Sequence, residues 1–186
     1  MSKVLVPLAE GFEEIEAVSI IDVLRRAEIE VLVAYLGEDK IVKGANGISV
    51  CADMSIDTVS TDEADMIVLP GGWGGTNNLA SDERVQNMLK EMDKKGKNIG
   101  AICAAPFALS QAGVLKQNYT CYPSVEEQIR QDGYMGDKAM VVEDGNVMTS
   151  RGPGTAICFA LQIVKKLKGD EVYDMLRGGL LADFCD

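Results

Sequence analysis

Short apolar segments alternate with helical patterns along most of this chain, and that alternation is the strongest constraint on its fold. Strand-like apolar runs lie at residues 3–7, 30–36, 66–69 and 97–103. Helical patterns lie at residues 13–27, 81–95 and 104–112. Alternating strands and helices are typical of α/β folds with a mostly parallel sheet. The uninterrupted apolar run at residues 66–69 is typical of a strand buried on both faces.

Further patterns complete the predicted order of elements. Residues 37–55 carry turn signals and alternating polarity, which indicate hairpin-like structure. The dipeptide Asp144-Gly145 lies between two short apolar runs and predicts a second hairpin. A long helix is predicted over residues 153–168, and another begins near residue 170.

The predicted helices carry residues that match their ends. Glu13 and Glu14 suit a helix N-terminus, and the arginines at 25–26 suit a C-terminus. Ser81 is the predicted N-cap of its helix, and Gly113 ends the helix at 104–112. The apolar face of the first helix is predicted from the residues at helical spacing, Ile15, Val18, Ile21 and Leu24.

Length and charge limit the classes of protein that this chain can belong to. Its 186 residues fit one domain, and no linker or repeat divides residues 1–186. The net charge of -11 repels phosphate backbones and anionic lipids, so we expect neither nucleic acid nor a membrane as a partner. No apolar run approaches the ~20 residues of a membrane span, and the N-terminus does not resemble a signal peptide. We therefore expect a cytoplasmic protein.

Histidine is absent from the sequence, and the five cysteines are scattered. Without histidine the chain cannot form Ser-His-Asp or Cys-His catalytic groups or a His-ligated metal site. We expect neither a metal nor a cofactor. An odd number of cysteines without a Cys-x-x-Cys pair argues for a reducing compartment and against a disulfide framework. Cys158 is predicted to lie in the core, and Cys185 to be exposed and incidental at the C-terminal tail.

Three features that could form a site lie at the ends of predicted strands. They are the turn before Glu13, the glycine-rich segment 70–75 and Cys103. In α/β folds, sites form outside the carboxyl ends of the strands. Cys103 lies on a strand-to-helix turn, where a helix N-terminus favours the reactive thiolate. The alternative is a buried structural cysteine, which is a common environment for a free thiol.

The other features also have a structural and a functional interpretation. Segment 70–75 is either a turn or a source of free amides that could hold an oxyanion near Cys103. Residues 150–155 either begin a helix or shape the wall of the pocket. Four acidic residues crowd one short segment: Glu10, Glu13, Glu14 and Glu16. They form a solvated helix start, or one turns inward, stays protonated beside a thiolate and moves a proton. Their spacing does not select which one.

Five segments together resemble the ThiJ/PfpI superfamily, in the branch of the Parkinson-disease-associated protein deglycase. They are LAEGFEEIE at 8–16, DVLRRA at 22–27, VLPGG at 68–72, AICAAP at 101–106 and TSRGPGT at 149–155. Each segment alone is weak, but five in the same order across nearly the whole chain are specific. The resemblance implies one ThiJ/PfpI-type domain, a flavodoxin-like three-layer α/β/α sandwich with a mostly parallel sheet, and a homodimer.

The resemblance also implies the roles of individual residues. Cys103 corresponds to the oxidation-prone nucleophile of the family, and Glu16 to the carboxyl that touches it. The amides of Gly72 and Ala104 correspond to the oxyanion site, and Gly71 belongs to the same pocket.

Several positions around the implied pocket need separate comment. Arg26 matches an arginine at the approach to the pocket, and Cys51 matches a cysteine near the dimer interface. The protease-like branch carries histidine at the position of Ala104, so peptidase activity is not expected. Tyr122 stands where the best-known member has histidine before proline, and a phenol is a poor base at neutral pH. Asn46 replaces a family arginine from the partner subunit, which weakens anion binding.

Two function classes follow from the resemblance. The leading hypothesis is a cofactor-independent glyoxalase or deglycase that acts on methylglyoxal, glyoxal or their early adducts on amines, with Cys103 as nucleophile and Glu16 as proton carrier. The alternative is a non-enzymatic oxidative-stress sensor or redox-regulated chaperone, in which Cys103 is oxidised to a sulfinate. Turnover discriminates between them, because an enzyme consumes many equivalents of dicarbonyl and a sensor changes its own mass once.

Overall fold

A computed structural model describes residues 2–185. The strands are β1 (Lys3–Leu8), β2 (Glu30–Tyr35), β3 (Ile41–Lys43), β4 (Ser49–Cys51), β5 (Met54–Ser55), β6 (Met66–Leu69), β7 (Asn98–Ile102), β8 (Val141–Asp144) and β9 (Val147–Ser150). The α-helices are α1 (Glu14–Arg26), α2 (Trp73–Ser81), α3 (Glu83–Lys94), α4 (Pro106–Ala112), α5 (Ala156–Lys168) and α6 (Asp170–Gly179). Within residues 2–185, none of these helices is both long and apolar enough to span a bilayer.

Seven of the strands form one sheet in the order β5-β2-β1-β6-β7-β9-β8, and β3 and β4 form a separate hairpin. Neighbouring strands of the large sheet are parallel except for β8 and β9, which form an antiparallel hairpin. The predicted mostly parallel sheet and both predicted hairpins are confirmed. The strand order changes direction between β1 and β6, and open α/β sheets bind ligands at such a point.

Helices cover both faces of the sheet because side chains along each strand alternate between two cores. In β1, Val4 and Val6 contribute to one core, and Leu5 contributes to the other. The first core includes buried residues of α1, α5 and α6. The second includes buried residues of α2, α3 and α4. This arrangement is the flavodoxin-like three-layer sandwich that the resemblance implied.

Helix α1 carries apolar residues on two sides. It is capped by Glu13, whose carboxylate accepts a hydrogen bond from the Glu16 N–H at 2.8 Å. The predicted apolar face is partly wrong, because Ile15 and Val18 are 59% and 47% exposed. Ile21 and Leu24 are buried as predicted, and Ile20, outside the predicted face, is fully buried as well. The apolar side chains that remain outside are therefore available to a partner.

The boundaries of two later helices also differ from the prediction. Ser81 is the last residue of α2, and Asp82 is the N-cap of α3, where its carboxylate accepts backbone N–H groups of the first turn. Helix α4 begins at Pro106 rather than at Ala104, because the chain first completes a turn after β7. It ends at Gly113, which adopts a φ of 72°, as the sequence predicts.

The glycine-rich segment is shorter than predicted, because α2 already begins at Trp73. Glycines normally disfavour a helix interior. Here tertiary packing requires them, since a Cβ on Gly75 would lie 2.8 Å from the Cα of Phe12. The start of α2 is thereby packed directly against the loop that precedes α1.

A disulfide joins Cys158 in α5 to Cys185 near the C-terminus, so the prediction of an exposed, incidental Cys185 is wrong. Cys185 is fully buried. The chain turns back after α6 at Leu181, which has a φ of 55°, and the Cys185 N–H donates to the carbonyl of Ala182 at 2.9 Å. The remaining cysteines are free thiols: Cys51, Cys103 and Cys121.

We expect Cys185→Ser to lower the free energy of unfolding by about 2 to 4 kcal/mol under non-reducing conditions. The bridge joins residues that are 27 positions apart and so restricts the unfolded chain. Urea denaturation measures the effect. The control is the same comparison under reducing conditions, where the wild type has no bridge either, so the midpoints of the wild type and of Cys185→Ser should then be equal. An unchanged midpoint for Cys185→Ser would contradict a stabilising bridge.

Candidate active site

The carboxyl ends of β1, β6 and β7 bring together the three segments that the sequence singled out. The Glu13 N–H donates to the carbonyl of Gly71 at 2.9 Å, which joins the loop after β1 to the loop after β6. Gly71 also adjoins Cys103, since a Cβ on this glycine would lie 2.6 Å from the Cys103 Cβ. The cluster lies beside the switch in strand order between β1 and β6, which is the usual ligand position in this class of sheet.

Cys103 adopts a left-handed backbone conformation with a φ of 63°. Such a conformation costs a residue other than glycine on the order of 1–3 kcal/mol. Two hydrogen bonds hold it: the Cys103 N–H donates to the carbonyl of Ser150 at 3.0 Å, and its carbonyl accepts from the Tyr122 N–H at 2.9 Å. The residue is 9% exposed, so it is buried but keeps contact with the surface.

The side chain of Glu16 is fully buried beside Cys103. It projects from the first turn of α1, and its Oε2 accepts a hydrogen bond from the Gly71 N–H at 2.7 Å. Among residues 2–185, Oε1 has no hydrogen-bond partner with good geometry. Burial raises the pKa of Glu16 to about 7, although its contacts with the Cys103 thiol and the Gly71 amide favour the carboxylate. A side chain at position 71 would collide with this carboxyl at 2.6 Å.

Cys103 and Glu16 form a coupled acid pair. Burial raises the pKa of Cys103 to about 12, and the adjacent Glu16 carboxylate acts in the same direction. The structure therefore does not show a thiolate at Cys103 that is favoured by the helix N-terminus alone. Helix α4 begins only at Pro106, and the carboxyl of Glu16 contacts the thiol. The pair loses its first proton near pH 7, so above that pH it carries one negative charge, and its remaining proton lies on sulfur or on the carboxyl. Moving that proton to Glu16 creates the thiolate.

Two backbone amides favour negative charge at the sulfur of Cys103. They belong to Gly72 and Ala104, and both lower the pKa of the thiol against the effect of burial. Gly72 has a φ of 83°, and a Cβ at this position would lie 2.5 Å from the carbonyl oxygen of Gly11. Only glycine therefore fits there. Fixed amides directed at a developing anion are the usual elements of an oxyanion site.

The structure separates the four acidic residues that the sequence left undecided. Glu13 caps α1, and Glu10 is exposed. Glu14 is buried under the loop between β3 and β4, where it accepts the backbone N–H of Asn46 at 2.6 Å and its side-chain amide at 2.9 Å. Glu16 is the one of the four that contacts the thiol of Cys103. Asn46 is thus engaged in holding the loop.

Arg26 does not reach this cluster, so the expectation that it lines the approach to the pocket is not met within one chain. Almost the whole of α1 separates it from Glu16, a distance of about 15 Å along the helix axis. Its guanidinium pairs instead with the carboxylate of Asp22 at 2.7 Å, and both side chains are half exposed. Helix α1 begins at the edge of the sheet where the carboxyl ends of the strands lie and runs to the opposite edge, so Arg26 at its end lies away from Cys103.

Tyr122 and the segment at residues 150–155 do lie beside Cys103. Tyr122 is attached through its backbone hydrogen bond to the Cys103 carbonyl, and half of its surface is exposed. Its ring lies against Gly152, where a Cβ would come within 3.1 Å of Cδ2. Since the Ser150 carbonyl also binds the Cys103 backbone, this segment both begins a helix and forms part of the wall.

Two aromatic residues beside the site were not singled out from the sequence. The rings of Trp73 and Phe107 contact each other edge to face, with centroids 5.8 Å apart and an angle of 65° between their planes. A signal was present, since Trp73 directly follows Gly72 and Phe107 lies three residues after Ala104. The sequence could not show that the two side chains meet.

A cleft of about 690 Å³ opens beside the site rather than at Cys103. Its lining comes from the end of β1, the loop between β2 and β3, and the end of α2. The cleft and the buried acid pair of Cys103 and Glu16 thus lie at different places. The acid pair is the stronger indication of where a reaction occurs. Within residues 2–185, no group of three or more cysteine, histidine, aspartate or glutamate side chains could hold a metal ion.

Comparison with known proteins agrees with this architecture. Residues 2–166 match the model of the DJ-1/PfpI family. The chain belongs to that family. Protein dj-1beta of Drosophila melanogaster is 43% identical, over 99% of this chain and 100% of that protein. The crystal structure of Drosophila melanogaster DJ-1beta has a TM-score of 0.93, covering 97% of this chain and 98% of that one. The family resemblance drawn from five short segments is confirmed.

Two other members of the DJ-1/PfpI family have names that state an activity. Glutathione-independent glyoxalase DJR-1.2 of Caenorhabditis elegans is 38% identical and covers 87% of this chain and 86% of its own length. Glutathione-independent glyoxalase DJ-1 of Schizosaccharomyces pombe is 34% identical and covers 97% of this chain and 98% of its own.

Proposed function

We propose that this chain is a cofactor-independent glyoxalase that converts methylglyoxal or glyoxal to the corresponding hydroxy acid. The observation that carries the proposal is the Glu16 carboxyl, which is buried against the Cys103 thiol with a pKa raised to about 7. A group with such a pKa can both accept and donate a proton near neutral pH. The names of the two glyoxalase relatives support the same chemistry.

The first step joins the substrate to Cys103. The thiol proton passes to Glu16, the sulfur adds to the aldehyde carbon, and the proton then passes to the new alkoxide to give a hemithioacetal. The amides of Gly72 and Ala104 would stabilise negative charge as it leaves the sulfur and develops on the substrate oxygen. No group outside the pair is needed to balance this step.

The second step moves hydrogen between the two carbons of the substrate. The Glu16 carboxylate removes the hydrogen of the former aldehyde carbon as a proton, leaving an enediolate. The proton returns to the neighbouring carbon and a thioester results. Water then cleaves the carbon–sulfur bond, which releases the hydroxy acid and restores the thiol. The aldehyde carbon is oxidised by two electrons and the ketone carbon is reduced by two, so the reaction needs no external oxidant or reductant.

A deglycase reaction would apply the same steps to early adducts of dicarbonyls on amines. In the adduct, a hemiaminal, the former aldehyde carbon carries a hydroxyl group and the amine. The carbon–nitrogen bond breaks, the hydroxyl proton passes to the departing amine, the aldehyde reforms, and the thiol of Cys103 adds to it as above. Peptide hydrolysis is not part of the proposal, because Ala104 offers no base next to the nucleophile.

We expect methylglyoxal to be converted to lactate without glutathione, with kcat/KM rising about tenfold per pH unit below pH 7 and levelling off above it. The raised pKa of Glu16 means that the pair is fully protonated at low pH and loses its first proton near pH 7. Initial rates of lactate formation between pH 5 and 9 test this expectation. A profile that is flat between pH 5 and 7 would contradict the role of the carboxyl.

We also propose a homodimer formed through α1 and the hairpin of β3 and β4. Ile15 and Val18 leave an apolar face of α1 exposed, and Ile48 beside the hairpin is exposed as well. Glu14 holds these parts together, because its carboxylate accepts the Ile48 N–H at 3.3 Å. Cys51, exposed at the end of β4, lies on the same hairpin. Exposed apolar side chains on elements that are hydrogen-bonded to each other are typical of a protein–protein interface.

Sedimentation velocity at micromolar concentration should show a dimer for the wild type and mostly monomer for Val18→Asp. The substitution puts a charge into the proposed apolar contact, where it would be buried without a partner. Met175→Asp is the control, because Met175 is exposed on α6 at another part of the surface. A wild type that sediments only as monomer would exclude this interface.

A further inference from the structure

An aromatic pair stands on the same two segments that supply the amides at Cys103. Trp73 follows Gly72, and Phe107 lies in the first turn of α4, close after Ala104. Because Cα–Cβ bonds tilt towards the N-terminus of a helix, both side chains start out towards the helix starts that flank the sulfur. Their edge-to-face contact, at 5.8 Å between centroids, fixes the two rings relative to each other.

The pair is held rigidly but remains accessible. Trp73 is 39% exposed and Phe107 is partly exposed. The close backbone contacts of Gly74 with Gly11, and of Gly75 with the loop before α1, leave the start of α2 little freedom to move. An aromatic surface that stays open to solvent in a fixed position is suited to bind a flat apolar group.

The electrostatic surroundings of the thiol favour a neutral substituent. Burial raises the pKa of both Cys103 and Glu16, and the charges of Glu16 on the first and of Glu13 on the second act in the same direction. Both are acidic, and Arg26 is paired with Asp22 far from the site. Arg151, the cation of the wall segment, acts on Cys121 but is not among the charges that act on the Cys103 thiol. A substituent with a carboxylate would therefore be repelled by Glu16 and Glu13, whereas an uncharged aryl group would not.

We propose that the site prefers 2-oxoaldehydes carrying an aryl group, with Trp73 and Phe107 as the residues that contact that group and determine specificity. This inference rests on the proposed glyoxalase reaction and names its substrate class. The chemistry is unchanged: one water is consumed, the aldehyde carbon becomes the carboxylate, and the ketone carbon next to the ring becomes the alcohol. Phenylglyoxal would thus give mandelate.

The test compares kcat/KM for phenylglyoxal and methylglyoxal from initial rates of mandelate and lactate formation. We expect the wild type to favour phenylglyoxal about tenfold, Trp73→Ala to reduce that ratio about tenfold, and Phe107→Ala to reduce it about threefold. Trp73→Phe should restore most of the preference, because it keeps an aromatic face. Phe184→Ala, at an exposed aromatic residue near the C-terminus, should leave the ratio unchanged.

A second readout separates failure of this inference from failure of the proposed function. Trp73 is the single tryptophan of the chain, so its fluorescence reports directly on the aromatic pair, and mandelate should quench it at lower concentration than lactate. If the wild type turns over methylglyoxal but Trp73→Ala does not change the ratio of kcat/KM for the two substrates, the proposed specificity is overturned and the proposed glyoxalase function stands. Quenching by mandelate without turnover of either substrate would support the aryl site and exclude the glyoxalase. Neither turnover nor quenching would exclude both.

Discussion

Replacing Cys103 by alanine is expected to lower kcat/KM for methylglyoxal at least about a thousandfold. The alanine variant keeps the backbone amides of Gly72 and Ala104 and the carboxyl of Glu16, but it has no atom that can bond to the aldehyde carbon. Lactate formation measured over the same substrate range for both proteins gives the ratio. Because Cβ is retained at a position that already adopts a φ of 63°, we expect the fold to be unaffected.

The control for this substitution is Cys121→Ala. Cys121 is a second buried free thiol, one residue before Tyr122, and burial also raises its pKa to about 12. Its thiol donates to the Glu126 carboxylate at 4.0 Å, but none of the groups that act on Cys103, which are Glu16 and the amides of Gly72 and Ala104, acts on it. Its removal should therefore leave lactate formation nearly unchanged. Equal loss in the two variants would indicate a general packing effect, and full activity in Cys103→Ala would exclude the nucleophile proposed here.

Glu16→Gln is expected to lower kcat/KM by about a hundredfold to ten-thousandfold. The glutamine side chain has the same shape, and its oxygen can still accept the hydrogen bond from the Gly71 N–H. It cannot carry a proton between the two carbons of the substrate. Glu13→Gln is the matched control, because Glu13 caps the same helix but does not contact the thiol. Comparable losses in both variants would mean that acidity around the site matters rather than one positioned carboxyl.

The same variant has a stability readout that separates catalysis from folding. The folded pKa of Glu16, about 7, lies above the ordinary glutamate value of 4.5, so the folded state binds more protons between these pH values. The contribution of Glu16 to stability is therefore fully present below about pH 4.5 and is lost as pH rises through about 7. Glu16→Gln removes that contribution and should be at least as stable as the wild type at pH 8 in urea denaturation. An inactive variant that is also unfolded at pH 8 would not support a catalytic role.

The sheet could be predicted from sequence because its signal is local. The uninterrupted apolar run of β6, and the alternation of strands with helices on either side of it, leave few arrangements other than a parallel sheet covered on both faces. Cys103 was also identifiable from sequence, since it lies immediately after such a strand. A residue at the carboxyl end of a parallel strand lies at the functional edge whatever the details of the packing.

Glu16 could not be chosen from local spacing. Glu14 and Glu16 are both buried, but the first faces the loop between β3 and β4 and the second faces Cys103. This difference depends on how α1 is rotated against the sheet and on the contact with Gly71, which is distant in sequence. The resemblance to a family, rather than a physical pattern, pointed to Glu16.

The remaining errors have the same origin in long-range contacts. The bridge between Cys158 and Cys185 depends on how the chain turns back after α6, and a separation of 27 residues gives no sign of it. Ile15 fits the helical period of α1 as well as Ile20 does, and only packing against α5 decides which is buried. The low helix propensity of glycine argued against a helix at Gly74 and Gly75. Close packing of the backbone at these two residues overrides that propensity.

The central claim is that the pair of Cys103 and Glu16 turns over dicarbonyl repeatedly without glutathione. The most direct measurement is the number of lactate equivalents formed per chain when the wild type is incubated with excess methylglyoxal, with the mass of the chain recorded in parallel. We predict many equivalents of lactate per chain and a Cys103 peptide of unchanged mass at the end. The claim would be contradicted if each chain consumed at most one equivalent of methylglyoxal and Cys103 were left modified. That result would indicate a cysteine that reacts only once.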